Sequence, residues 1–196
     1  MPFDEGLSGI HAELVRRTHG TGYRYVLVDL NSTNGTFVRV SKVVLRPGQE
    51  LLIGSHRFSF DAGDESEPEQ MSPQEHEDDT PTATINWQSQ RPASKNSSVS
   101  GPGLVEITHT GDVGIRFPFS KAVQTIGSAP GQADLIIAGD PFVSGVHARV
   151  SKTNQGRWQI ENCGSLNGLW LRVTEMPLER NAEFQISEQR FLVCPK

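Results

Sequence analysis

The sequence predicts an all-β protein in which two β-sandwiches are joined by an acidic, disordered linker. Three observations carry this reading. Apolar residues fall in short alternating runs with no clean helical period. Nineteen Gly and 12 Pro spread over 196 residues supply punctuation for many turns. The last part of the chain also repeats the first at a nearly constant offset, which marks a duplicated domain rather than a short solenoid repeat.

In chain order, a first strand starts at Ser8, with Ile10, Ala12 and Leu14 alternating against His11 and Glu13. Thr18–Gly22 is a turn cluster. Tyr23–Leu30 is rich in aromatic and β-branched residues and reads as the second strand. The polar turn Asn31-Ser32-Thr33-Asn34-Gly35 follows, and Asn-Gly tolerates the positive φ that a tight turn requires. Thr36–Val40 is the third strand. Pro47-Gly48 marks a loop, and Glu50–Gly54 and His56–Phe60 are two further short strands. Beyond residue 103, Leu104–His109, Gly114–Phe119, Ala122–Ile126 and Leu135–Ile137 read as strands.

Ser144-Gly145-Val146-His147-Ala148 then repeats Ser8-Gly9-Ile10-His11-Ala12 at an offset of 136. From Asn34 and Asn167 onward the offset is 133, and it carries Gly35 to Gly168, Arg39 to Arg172, Leu45 to Leu178 and Phe58 to Phe191. The sandwiches are therefore expected within 1–60 and 104–196. The second copy has some 40 strand-like residues (104–143) ahead of its Ser-x-x-His, and the first has seven. The first sandwich is expected to lack its leading strands. Three ways out are a chain that is a fragment or has a misplaced start, a partner that fills the gap, or repacking against the second copy. The first is favoured on sequence.

Residues 61–103 hold nine carboxylates against Arg91 and Lys95, so this segment carries −7 of a net charge of −5 and leaves +2 for the rest. Apart from Ile85, Trp87 and Val99 it has almost no residues of the buried type, too few to offset the entropy of ordering it. Thr80-Pro81 and Ser72-Pro73 within it are candidate phosphorylation sites. The near-neutral flanks argue against nucleic acid as a partner. No apolar run reaches the length of a membrane span, and Met1-Pro2-Phe3-Asp4 is not a signal peptide, so a cytoplasmic setting is expected. Cys163 and Cys194 lack metal-ligand spacing and are expected as buried thiols. No metal, cofactor or catalytic constellation is indicated, so the chain is not read as an enzyme.

Ser8-x-x-His11 followed by Asn34-Gly35-Thr36, and Ser144-x-x-His147 followed by Asn167-Gly168, resemble the forkhead-associated (FHA) domain. The resemblance spans nearly all of 7–60 and 104–196. It implies a β-sandwich whose loops at one end bind a phosphothreonine peptide. Ser8, the backbone at Gly9, Thr33 and Asn34 would then bind the phosphopeptide in the first copy. Ser144, Gly145 and Asn167 would be weaker equivalents in the second. His11, Gly35, His147 and Gly168 would be structural, the histidines tying one loop to the other. Donors of fixed geometry suit a phosphate dianion, and an Asn amide can grip a peptide backbone.

The copies also depart from the family. Its phosphate-binding Arg precedes the Ser-x-x-His by a strand and a loop. That stretch is missing ahead of Ser8, and Ser128 follows Gly127 in the second copy. Leu166 stands where the first copy has Thr33. A neutral hydroxyl does not replace a bidentate guanidinium, so the second copy is expected to bind phosphothreonine weakly or not at all. Arg39 and Arg172 are expected on solvated faces, and Trp158 and Trp170 in the core or at its rim. The reading is a phosphothreonine-binding adaptor in Ser/Thr kinase signalling, acting mainly through its first domain. The alternative is a phosphate-independent scaffold that binds protein surfaces.

Overall fold

The computed structural model describes residues 4, 6–63, 101–178 and 181–194. The candidate phosphorylation sites, and Ile85, Trp87 and Val99, lie outside them. Sixteen strands and no helix make up the described chain. The first half contributes β1 (Ala12–His19), β2 (Gly22–Asp29), β3 (Thr36–Val40), β4 (Lys42–Val44), β5 (Glu50–Ile53) and β6 (His56–Asp61). The second contributes β7 (Gly103–Ile107), β8 (Val113–Pro118), β9 (Val123–Gly127), β10 (Leu135–Ile136), β11 (Ala148–Lys152), β12 (Trp158–Asn162), β13 (Leu169–Val173), β14 (Glu175–Leu178), β15 (Glu183–Ile186) and β16 (Gln189–Leu192). By the repeat offset, β1 to β6 correspond to β11 to β16.

The strands form three sheets, in the orders β1-β2-β14, β10-β9-β11-β12-β4 and β16-β15-β3-β13-β5-β6-β7-β8. In the long sheet Phe184 stands opposite Val38, Val38 opposite Leu171, Leu171 opposite Leu51, and Leu51 opposite Phe58. Directly opposed residues share a face, so these five point the same way. The two smaller sheets cover that face side by side and make two sandwiches. One core gathers Leu27, Val38 and Phe184. The other, larger, holds Leu51, Ile53, Phe58, Phe60, Leu104, Ile126, Val150, Ile160 and Leu169 among others.

The two halves exchange strands. The segment β4–β6 belongs to the first half but completes the sandwich of β7–β13. The segment β14–β16 belongs to the second half but completes the sandwich of β1–β3. Each sandwich is therefore discontinuous in sequence, where the sequence places one within 1–60, lacking its leading strands, and the other within 104–196. The cause is local. Only Ser41 separates β3 from β4, and only Thr174 separates β13 from β14. A hairpin needs at least two turn residues, so each chain runs straight on into its neighbour. The exchange is symmetric: Asn162 N donates to Ser41 O, and Asp29 N to Thr174 O, both at 2.8 Å.

Several local readings change. The first strand starts at Ala12, not at Ser8, because residues 8–11 are held as a loop. Ile10 is exposed, and so is Leu14. Cys163 and Cys194 are exposed and free, since both follow the end of a strand. Arg39 and Arg172 are only about one-third exposed and are ion-paired, to Glu183 at 2.9 Å and Glu50 at 2.8 Å. Trp158 and Trp170 are both buried.

Candidate functional site

Two loops meet at the start of β3. His11 is buried and spans them. Ser8 N donates to its Nδ1 at 3.2 Å, which leaves Nε2 as the protonated nitrogen, 3.1 Å from Gly35 O. Thr33 N donates to Ser8 Oγ at 3.1 Å, and Asn34 Nδ2 donates to Gly6 O at 2.9 Å. Ser8 Oγ thus sits against Thr33, with its own proton left over for donation. Thr33 and Asn34 are exposed above it, next to the exposed Gly9.

Asp29 stiffens the Asn-Gly loop from below. Its carboxylate accepts Ser32 N, Ser32 Oγ and Thr36 Oγ1, the last two at 2.5 and 2.6 Å, and Ser32 Oγ in turn accepts Gly35 N at 3.1 Å. Burial works to raise the Asp29 carboxyl, but the hydrogen bonds from Ser32 and Thr36 outweigh it and hold it below the ordinary value. Gly35 is needed twice over: its φ is +85°, and a Cβ there would stand 2.5 Å from Arg172 Nε.

The second copy reproduces this frame. Ser144 N donates to His147 Nδ1 at 3.1 Å, and His147 Nε2 lies 2.9 Å from Gly168 O. Asn167 Nδ2 donates to Phe142 O at 3.0 Å. Ser165 plays the part of Ser32, and Asn162 that of Asp29. Burial pushes the His147 imidazolium down, against smaller raising contributions from Gly168 O and Asp140. The surface, however, has changed. Leu166, in the place of Thr33, is 90% exposed. Ser128 Oγ is spent on Val143 O at 2.8 Å, and Gly145 packs against Ala129.

Sequence reasoning missed one pair of residues and the role of another. Asp4 Oδ1 accepts Gly6 N at 3.1 Å and Ser187 Oγ at 2.6 Å. Asp140 does the equivalent with Phe142 N and with Ser55 N and Oγ, at 2.7 to 2.9 Å. Each carboxylate ties a Ser-x-x-His loop to the end turn of the hairpin that the other half supplies. Hydrogen bonds depress both carboxyls, led at Asp4 by Ser187, while at Asp140 they overcome the opposing effect of burial. Asp4 and Asp140 lie 136 apart, and Glu50 and Glu183 lie 133 apart. Extending the repeat to its acidic residues is the signal that finds them.

A groove of about 1020 Å³ opens beside the first loop set, on the uncovered face of the long sheet. Phe37, Leu52, Arg57 and Gln185 contribute to its floor. Thr33 and Asn34, the 108–111 turn and the 187–188 turn form its rim. Its walls therefore come from both halves. Among the described residues no group of His, Cys, Asp and Glu is placed to hold a metal ion, and no helix is long and apolar enough to cross a membrane.

Comparison with curated proteins finds no match. The family model of the FHA domain matches residues 2–54 and 124–187, more than half of the chain. Those spans contain both Ser-x-x-His loops and both Asn-Gly turns. The family is one of phosphopeptide-binding protein-interaction modules, not of catalysts. With two all-β sandwiches carrying the same loop frame, this chain belongs to the FHA domain family, in two tandem copies.

Proposed function

We propose that the protein is a phosphothreonine-peptide-binding adaptor in Ser/Thr kinase signalling and that it binds mainly through its first loop set. The observation that carries this is the contrast between two frames built on the same histidine and asparagine hydrogen bonds. The first presents the exposed Thr33 and Asn34 at the mouth of a groove, with the Ser8 hydroxyl set against Thr33 N. The second presents an exposed leucine, and its Ser128 hydroxyl is already bonded. A phosphate dianion selects charge-assisted and hydroxyl donors, and an alkyl side chain offers it none. Asn34 keeps Oδ1 for a peptide N–H, since Nδ2 serves Gly6. Phosphothreonine-bearing proteins are the partners on this reading, and the role requires no cofactor.

Asn34 also favours a second reading. Its donor is committed inside the protein, which suits a scaffold that binds protein surfaces without phosphate. Calorimetric titration with a degenerate phosphothreonine peptide pool and its unmodified counterpart separates the two. Binding of the phosphorylated pool alone, weakened about tenfold or more by Ser8→Ala, is the expected result. Equal affinity for both pools, or no effect of Ser8→Ala, overturns phosphothreonine recognition. Ser144→Ala is expected to change little.

A further inference from the structure

The two sandwiches differ at one edge. The outer side of β11 is paired with β9, Val150 opposite Gln124 and Ala148 opposite Ile126. The corresponding side of β1 has no strand among the described residues. The side chains register the difference. Val150 and Trp158 are 0% and 8% exposed, and Phe119 packs on Trp158 at 4.8 Å. Their counterparts Leu14 and Tyr25 are 52% and 49% exposed, next to Tyr23 at 67%. The edge is eight residues long and contains no Pro or Gly. No proline, bulge or very short strand blocks edge-to-edge pairing here; the charges on the edge are Glu13, Arg16 and Arg17, with Arg16 on the core face, and their order restricts which strand can pair with it.

The order of charges along β1, Ala12-Glu13-Leu14-Val15-Arg16-Arg17-Thr18-His19, names the occupant. We propose that β1 pairs antiparallel with β1 of a second copy of this chain, about a two-fold axis at Val15, joining the two three-stranded sheets into one of six. In this register Val15 faces Val15, and Glu13 of each copy stands opposite Arg17 of the other. Slipping by one residue turns the core face of one copy to the outside. Slipping by two in one direction sets Arg16 against Arg16, and in the other it leaves Glu13 against Val15. Opposite charges directly across a ladder stabilise it and like charges weaken it, so the charge order selects one register. Arg17 already chelates Glu175 at 2.5 and 2.8 Å, and its guanidinium, with five donors, is shared between two carboxylates. On the core face Leu14 lies along the partner copy's Arg16, which stacks at 4.5 Å on its own Tyr23. The pairing is isologous and closes at two copies.

Sedimentation velocity of the full chain over a micromolar range tests this. A dimer is expected. Glu13→Arg should weaken it roughly tenfold, because two attractive pairs become repulsive. Adding Arg17→Glu should restore it. With Cys163 and Cys194 replaced by Ser, Val15→Cys should cross-link two chains under mild oxidation, which decides the matter even if a charge variant folds poorly. A monomer throughout the range overturns the proposal, whether or not another segment or protein protects the β1 amides from exchange. So does a dimer indifferent to Glu13→Arg that gives no cross-link at residue 15.

Discussion

A methyl group on Gly35 would collide with the guanidinium that pairs with Glu50, and one on Gly168 with the guanidinium that pairs with Glu183. These two glycines therefore carry a site requirement and a packing requirement together. Gly48 also has a positive φ, of 74°, but open space around it. Gly35→Ala should cost about 1–3 kcal/mol for the left-handed backbone, plus the loss of the Arg172–Glu50 pair. Gly48→Ala should cost the backbone part alone. Urea titration of both variants separates the two contributions, and equal losses would show that Arg172 gives way freely. The histidines can be tested by pH. The folded state holds His147 neutral below its ordinary pKa, so the unfolded chain takes up the proton first. Stability attributable to His147 is complete above about pH 6.5 and falls as pH drops through the folded value. Asp29 is likewise held below its ordinary value, and its contribution is lost only below about pH 3.9. Two separate declines are expected in stability against pH, and His147→Gln should flatten the upper one. The motif residues were legible in the sequence because Ser-x-x-His and Asn-Gly recur as pairs. Arg39 and Arg172 were misread as solvated because alternation with Val says which face a residue takes and not what lies on that face.

At the scale of strands, β3, β5, β6 and the duplication were legible, whereas the exchange was not, and the reason is physical. A hairpin repeated at an offset of 133 has the same apolar alternation in either copy, so β4–β6 and β14–β16 each fit either sandwich. Alternation and turn residues are satisfied equally by the closed and the exchanged pairings, and only the one-residue hinges at Ser41 and Thr174 tell them apart. The exchange places Lys42 directly opposite Glu161. In a closed arrangement the place opposite Lys42 would be taken by Val28, which here faces Glu175. Lys42→Cys with Glu161→Cys, in a chain whose Cys163 and Cys194 are Ser, should form a disulfide across the ladder. Oxidation followed by cleavage within 64–100 should leave the two pieces joined on a non-reducing gel and separate on a reducing one. Separation under both conditions would mean that β4 lies on its own half.

Taken whole, the molecule is held together by the exchange rather than by the connection through residues 64–100. Ladders β3–β13, β13–β5, β12–β4, β14–β2, β15–β3 and β6–β7 all join one half to the other. Leu51, Ile53, Phe58 and Phe60 of the first half are at most 3% exposed and, with Leu45, join a core whose other buried members come from the second. Burying each is worth about 1.5–3 kcal/mol, so removing all four costs as much as the whole stability of an ordinary domain, about 5–15 kcal/mol. A chain of residues 101–196 is therefore expected not to fold cooperatively, although it contains nearly the whole of the second repeat. Cleaving the intact protein within 64–100 should leave the two pieces co-eluting at the mass of the parent and melting in a single transition. They should part only in denaturant and recover on dilution when mixed. If residues 101–196 alone gave a cooperative unfolding transition, the halves would be independent domains. The groove beside Thr33 and Asn34 would then lose the walls it takes from the second half, the 108–111 turn, Gln185 and the 187–188 turn.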